Sequence, residues 1–201
     1  MKTIGICGPS GSGKTTLAKM LCKDLDANRI GLDNYFLFDL PVRKYEYKGM
    51  NWELPENLDW TAIKHDLRNV QRGEKTAIRK INWDTDTYEE QSVEAKDAVI
   101  VEGFLLLHDR ELIEMMDLTV YVHVPDEIGI QRRLDRKDNR KDYEFNKKWY
   151  EEVTFPEYAP RRKVFEERAD LVLNGELPLI DNLERVRLKM AELENDPKSE
   201  S

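Results

Sequence analysis

Apolar and polar positions alternate over residues 3–7. A glycine-rich stretch follows and gives way to Leu17, Ala18, Leu21, Cys22 and Leu25 at helical spacing. The pattern predicts a strand, a loop and a helix over 14–25. A second short strand is predicted over 29–32, ending at Asp33, whereas 34–57 is polar and aromatic with no sustained period and fits an excursion that lines a site. Helical spacing returns over 58–72, with Asp59 placed to cap the start and Gly73 to stop the end. Residues 77–83 and 98–101 read as strands, the second an unbroken apolar run as expected of a parallel strand covered on both faces. Next come a helix over 109–116, a strand over 118–124 and a helix over 126–136, with Pro125 at the last boundary. Residues 144–168 predict one long helix broken near Pro156 and Pro160, then a strand over 170–173 closed by Asn174-Gly175, and a final helix over 179–193. Strands and helices in alternation imply a parallel sheet wrapped by helices, with ligands bound beyond the carboxyl ends of the strands. No repeat or linker divides the chain, so one domain is expected over 1–194 with a polar tail over 195–201, and the charged stretch 132–143 is placed to form a lid.

Composition narrows the partners. The 201 residues are 40% hydrophobic and 36% charged, with a net charge of −8. Such a balance disfavours binding to nucleic acid, which needs clustered Lys and Arg. No run of 18 apolar residues is present and the first apolar run is too short for a secretory segment, so no membrane partner and a cytoplasmic location are expected. Cys7 and Cys22, one in a predicted strand and one in a predicted helix, fit reduced core thiols. His65, His108 and His123 have no metal-ligand spacing and read as structural.

Candidate chemistry begins where the first strand ends. Gly8-Pro9-Ser10-Gly11-Ser12-Gly13-Lys14-Thr15 matches G-x-x-x-x-G-K-[ST] in full and lies between an apolar strand and an amphipathic helix, as that phosphate-binding loop must. Glycines let the backbone wrap a polyphosphate with its N–H groups inward, and the helix that starts near Gly13 adds its positive dipole end. Gly8, Ser10, Gly11, Ser12, Gly13, Lys14, Thr15 and Thr16 are therefore candidate contacts for ATP, with Lys14 reaching the β- and γ-phosphates and the Thr15 hydroxyl facing Mg2+. Glu102 ends the 98–101 run, where a strand tip faces the phosphates, and is a second candidate for magnesium. An acid at a strand end also caps helices. Asp33 stands at another strand tip, as a candidate base for an acceptor hydroxyl and a third metal-facing residue; a plain turn before Asn34 is the alternative.

Together these residues resemble the uridine kinase and nicotinamide riboside kinase branch of P-loop kinases. Beyond the phosphate loop, the resemblance runs over 2–175 through Leu32-Asp33-Asn34-Tyr35-Phe36, Asn51-Trp52-Glu53, Val101-Glu102-Gly103-Phe104-Leu105-Leu106, Arg132-Arg133-Leu134-Asp135-Arg136 and 170–175. It implies a three-layer α/β sandwich of the P-loop NTPase type, with a central parallel sheet, helices on both faces and a small helical lid. It further implies ATP and magnesium as cofactors and a ribonucleoside as the small-molecule partner, phosphorylated on its 5′-hydroxyl. In such kinases the acid matching Asp33 is the base, the acid matching Glu53 binds the ribose diol with help from the arginine matching Arg133, and Arg132 and Arg136 stand as lid arginines near the transferring phosphoryl group. Tyr35, Trp52, Trp83 and Tyr88 are further candidates for substrate contact, as stacking surfaces or core. Two departures bear on specificity. Uridine kinases commonly carry aspartate where Glu53 stands, and an aromatic and a base-reading histidine where Trp83 and Tyr88 stand. Another acceptor (pantothenate, a phosphosugar or a nucleoside monophosphate) and a non-kinase regulatory module are the rivals, and homo-oligomerisation stays open.

Overall fold

A computed structural model describes residues 1–37, 44–45, 49–50, 52–85, 87–135 and 143–195. In chain order its elements are β1 (Lys2–Cys7), α1 (Lys14–Asp24), β2 (Asn28–Gly31), β3 (Lys44–Tyr45), β4 (Gly49–Met50), α2 (Trp60–Gln71), β5 (Thr76–Asn82), β6 (Thr87–Val93), β7 (Ala98–Glu102) and α3 (Arg110–Glu114). They continue with β8 (Leu118–His123), α4 (Asp126–Leu134), α5 (Tyr143–Trp149), α6 (Phe155–Arg168), β9 (Leu171–Asn174) and α7 (Leu179–Glu194). Short 3-10 turns at Leu32–Tyr35, Pro55–Asn57 and Leu106–His108 and a π-helical turn at Tyr150–Thr154 join them.

The unbroken apolar runs take the middle of the sheet. β1 is buried from its second residue onward and β7 throughout, which suits strands covered on both faces. β1 pairs in parallel with β7 and β8 in registers that set Ile4 beside Ile100 and Ile6 beside Val120. β2 and β9 complete a five-stranded parallel sheet in the order β2-β7-β1-β8-β9. Alternate side chains feed two cores, one on each face. Val99 and Val101 pack with Ile63 and Leu67 of α2, Leu112 of α3 and Phe165 of α6. Ile100 joins Leu17 and Leu21 of α1 and Leu183 and Val186 of α7. The result is the expected three-layer α/β sandwich. Among the described residues no helix is long and apolar enough to cross a membrane.

Two expectations need correction. Residues 77–83 do form a strand, β5, but it pairs with β6 in a separate antiparallel hairpin and takes no place in the central sheet. β6 itself has no apolar period because its first six residues are all exposed. The helix expected over 144–168 breaks at Tyr150–Thr154, and Pro160 lies inside α6. Pro156 has no N–H, and its ring crowds the carbonyl four residues earlier. The chain widens by one residue in response, and Phe155 N–H reaches the carbonyl of Tyr150, an i→i+5 bond. The lid expected over 132–143 is described only at its edges. Residues 136–142, Arg136 among them, lie outside the described residues.

Candidate active site

The phosphate loop leaves the carboxyl end of β1 and enters α1 at Gly13, whose φ of 93° is left-handed and favours glycine. Gly11, at φ 81°, is pressed against α4, where a side chain would collide with the Gly129 carbonyl. Ser12 is buried and its N–H donates to the Pro9 carbonyl at 3.2 Å, while Lys14 Nζ lies 3.5 Å from that same oxygen. No acidic residue stands in the first turn of α1, so nothing on the helix itself offsets the positive end of its dipole. Thr16 is exposed beside Thr15.

Glu102 closes β7, in register with Ile6 of β1 and Gly31 of β2, and is only 7% exposed. A carboxylate so deep needs partners, and it has two. Thr15 Oγ1 donates to its Oε2 at 3.0 Å and Arg29 Nη1 pairs with its Oε1 at 2.7 Å. Arg29 was not singled out from the sequence; the signal was a cation alternating with buried neighbours in β2.

Asp33 stands in the 3-10 turn after β2, with surface open to solvent and protein crowded around its carboxyl. The protein around it raises its pKa through burial; Lys14 pulls it back down, Glu102 adds to the rise, and Arg133 and Arg29 oppose it. Asp33, Lys14, Glu102 and Arg133 therefore share one electrostatic neighbourhood. The turn is held from below. Tyr35 is fully buried and its hydroxyl donates to Asp66 Oδ2 at 2.8 Å, which also accepts from Arg79 N–H at 2.8 Å. Asn34 Oδ1 accepts from Ile81 N–H at 3.1 Å. Tyr35, a candidate for substrate contact in the sequence, thus supports the turn from the core.

Glu53 follows Trp52 and enters the same neighbourhood. Burial pushes its carboxyl up to about 7, the Thr154 hydroxyl and Lys14 lower it, Asp33 raises it, and Arg161 lowers it. Thr154 Oγ1 lies 3.1 Å from its Oε1. The carboxyl faces a cleft whose walls include Pro9, Ser10, Tyr150, Thr154 and Arg162. Beside it is an aromatic group: Phe36 meets Trp52 edge-on at 4.8 Å and Trp83 at 6.2 Å, and Phe104 stacks on Phe36 at 6.2 Å. Trp83, 42% exposed at the turn of the β5–β6 hairpin, presents a ring to solvent. Tyr88 is committed differently. Its hydroxyl donates to the Phe36 carbonyl at 2.7 Å and Arg79 covers its ring at 4.7 Å.

Arg132 bends onto the phosphate loop, its Nη1 donating to the carbonyls of Gly175 at 2.8 Å and Gly11 at 3.3 Å. In this arrangement it braces backbone and does not reach over the cradle as a lid arginine would. Tyr150 and Thr154 were absent from the sequence-based candidates. Pro156, which forces the π-turn bearing them, was the available signal.

Residues 3–175 match the family described as PRK, phosphoribulokinase / uridine kinase. A uridine kinase from Staphylococcus epidermidis is 28% identical over 177 residues, covering 85% of this chain and 86% of its own length. Among solved structures, a proposed fructose transport system kinase from Silicibacter sp. TM1040 superposes with a TM-score of 0.66 at 20% identity, covering 85% of this chain and 88% of that one. A possible uridine kinase from Bacillus stearothermophilus gives 0.54 at 23% identity, covering 86% and 88%. The phosphate loop on the central strand, the acid at the tip of its neighbour and the match over most of the chain converge on one conclusion: this chain belongs to the phosphoribulokinase / uridine kinase family and is a phosphotransferase acting on a hydroxyl group.

Proposed function

We propose that the chain transfers the terminal phosphoryl group of ATP to the 5′-hydroxyl of a ribonucleoside. The observation that carries this reading is the position of Glu53, whose carboxyl feels both Lys14 and Asp33. A diol held by Glu53 therefore stands next to the phosphate cradle and the base. An ionised carboxylate accepts both hydroxyls of a vicinal diol, and the Arg133 guanidinium is suited to donate to the same oxygens.

In this reading the loop amides and Lys14 hold the triphosphate, and Asp33 orients the acceptor hydroxyl and takes its proton. Trp52 and Trp83 offer the base a stacking wall with no histidine to read a pyrimidine edge, which favours a purely aromatic recognition of the ring. The site fits magnesium: Thr15 Oγ1 and Glu102 Oε2 are hard oxygen donors 3.0 Å apart at the edge of the cradle. When bound, the ion supplies charge neutralisation on the phosphate oxygens. Among the described residues no group of three or more His, Cys, Asp or Glu could hold a metal ion, so phosphate oxygens and water would complete its shell. Asp33 would face that shell from the acceptor side.

A coupled ADP-release screen tests the proposal. Uridine, cytidine, nicotinamide riboside, other nucleosides, pantothenate and phosphosugars are offered in turn, and the product is identified by mass. Stimulation by a ribonucleoside, with the 2′-deoxy analogue much poorer, is the expected result. Inert nucleosides alongside a competent acceptor of another class would overturn it, and a response to a macromolecule alone would point to a regulatory ATPase.

A further inference from the structure

The π-helical turn touches both halves of the site. A π-turn holds more than four residues per turn, so residues 150 and 154 project from nearly the same face. In this turn that face meets the cleft. Tyr150, at one end, donates its hydroxyl to Ser10 Oγ of the phosphate loop at 2.7 Å. Thr154, at the other, donates to Glu53 Oε1 at 3.1 Å. Both side chains are buried, at 6% and 7% exposure, so neither bond is readily exchanged for water.

We propose that the π-turn Tyr150–Thr154 is a positioning element of the acceptor site, in which the Thr154 hydroxyl orients the Glu53 carboxylate and Tyr150 seats the turn on the phosphate loop through Ser10. This rests on Glu53 being the diol-binding acid. A carboxylate has about four lone-pair directions, of which Thr154 takes one. Neither residue touches the reacting atoms.

Among the described residues, charged and titratable groups around Glu53 include Lys14 at the start of α1, Asp33 in the 3-10 turn, and Tyr158 and Arg161 of α6, with the Asp126–Arg162 ion pair in the cleft wall. Among these described groups, Thr154 acts on Glu53 through a hydrogen bond. A bond to the ionised carboxyl favours that form, so its loss raises the pKa of Glu53.

The decisive measurement needs no acceptor. Protein labelled with 13C at the glutamate carboxyls is titrated by NMR, and Glu53→Gln identifies the resonance by its disappearance. Wild type is expected to titrate near 7, Thr154→Val distinctly higher, and Thr154→Ser close to wild type. Tyr150→Phe is expected to move the midpoint the same way by less, since the turn then loses its seat. In turnover assays with the ribonucleoside found most active, Thr154→Val should raise KM about 10-fold at neutral pH with kcat nearly kept, as for loss of one hydrogen bond to a charged group. The KM defect should shrink above pH 8, where the altered carboxyl is again ionised.

An unmoved Glu53 midpoint in Thr154→Val, or a Thr154→Ser variant indistinguishable from it, would overturn the positioning role. So would a KM defect independent of pH, which is what simple loss of packing would give. If the midpoint moves as expected while no ribonucleoside is turned over, the brace stands and the diol reading of Glu53 fails instead.

Discussion

At the scale of single residues, the site is a contest between burial and opposite charge, and the outcome differs at each carboxyl. Glu102 has Arg29 and Thr15 on its two oxygens. Among the described residues Asp33 has no such clamp, and the loss of solvent to the protein crowded around it outweighs the pull of Lys14, so its pKa is raised. A base must be ionised to accept a proton. Turnover should therefore fall as pH drops through a pKa raised above the ordinary aspartate value, and kcat measured against pH should show that one-proton loss. Asp33→Asn should lower kcat by about 100-fold or more with ATP affinity nearly unchanged, within the range for removal of a general base. Near-normal turnover by that variant would take Asp33 out of the role. Glu102→Gln should act on the other substrate. It removes a hard anionic oxygen beside Thr15 and leaves Arg29 facing a neutral amide, so the magnesium concentration for half-maximal rate should rise several-fold. An unchanged metal requirement would separate Glu102 from the ion.

At the scale of elements, the parallel sheet and its helices were legible because each core strand is a run of apolar residues and each helix carries one apolar stripe. Asp59 caps α2 by accepting from Ala62 N–H at 3.0 Å, and Gly73 ends it at φ 72°, both where the residue types pointed. What was not legible lacks a one-dimensional period. β6 is exposed on both faces, and the partnership of β5 with it depends on a hairpin that solvent-facing side chains do not announce. The π-turn likewise follows from a steric conflict at Pro156 and not from any pattern. Within the site, the loop Gly8–Thr15 and the acids at strand tips could be read directly, whereas Tyr35 looked like a ligand contact because nothing in the chain shows that Asp66 awaits its hydroxyl. That buried knot joins the 3-10 turn of Asp33 to α2 and β5. Asp66→Ala leaves two donors unpaired, the Tyr35 hydroxyl and Arg79 N–H, and should cost about 3 kcal/mol in urea unfolding, while Tyr35→Phe should cost about 1 kcal/mol. Both should also slow turnover, since the knot fixes the turn that carries the base. A loss below about 0.5 kcal/mol for Asp66→Ala would mean that water replaces the knot at no cost.

At the scale of the whole molecule, 40 acidic residues against 32 basic ones give a protein that repels polyanions, yet Lys14, Arg29, Arg132 and Arg133 gather around the one place where a triphosphate is to be held. The acceptor side of that place is acidic and partly desolvated, and its cost falls on the stability of the whole fold. Glu53 titrates at about 7 in the folded chain and at an ordinary value near 4.5 once unfolded. A raised folded pKa means that the folded state holds the proton over a range where the unfolded state has released it. Stability associated with this group is therefore fully present below about pH 4.5 and is lost as pH climbs through about 7. The shift corresponds to about 3 kcal/mol as a ceiling, and because Glu53 is partly open to solvent the loss should be on the order of 2 kcal/mol. Glu53→Gln carries a neutral amide at every pH and escapes it. Urea unfolding at pH 5 and pH 8 should find the two proteins similar at the lower pH and the variant more stable by about that amount at the higher, even as its acceptor affinity falls. A wild type that loses no stability relative to the variant over that interval would show that the carboxyl is well solvated in the empty site. In that case the raised pKa, and the balance between function and stability drawn from it, would both be withdrawn.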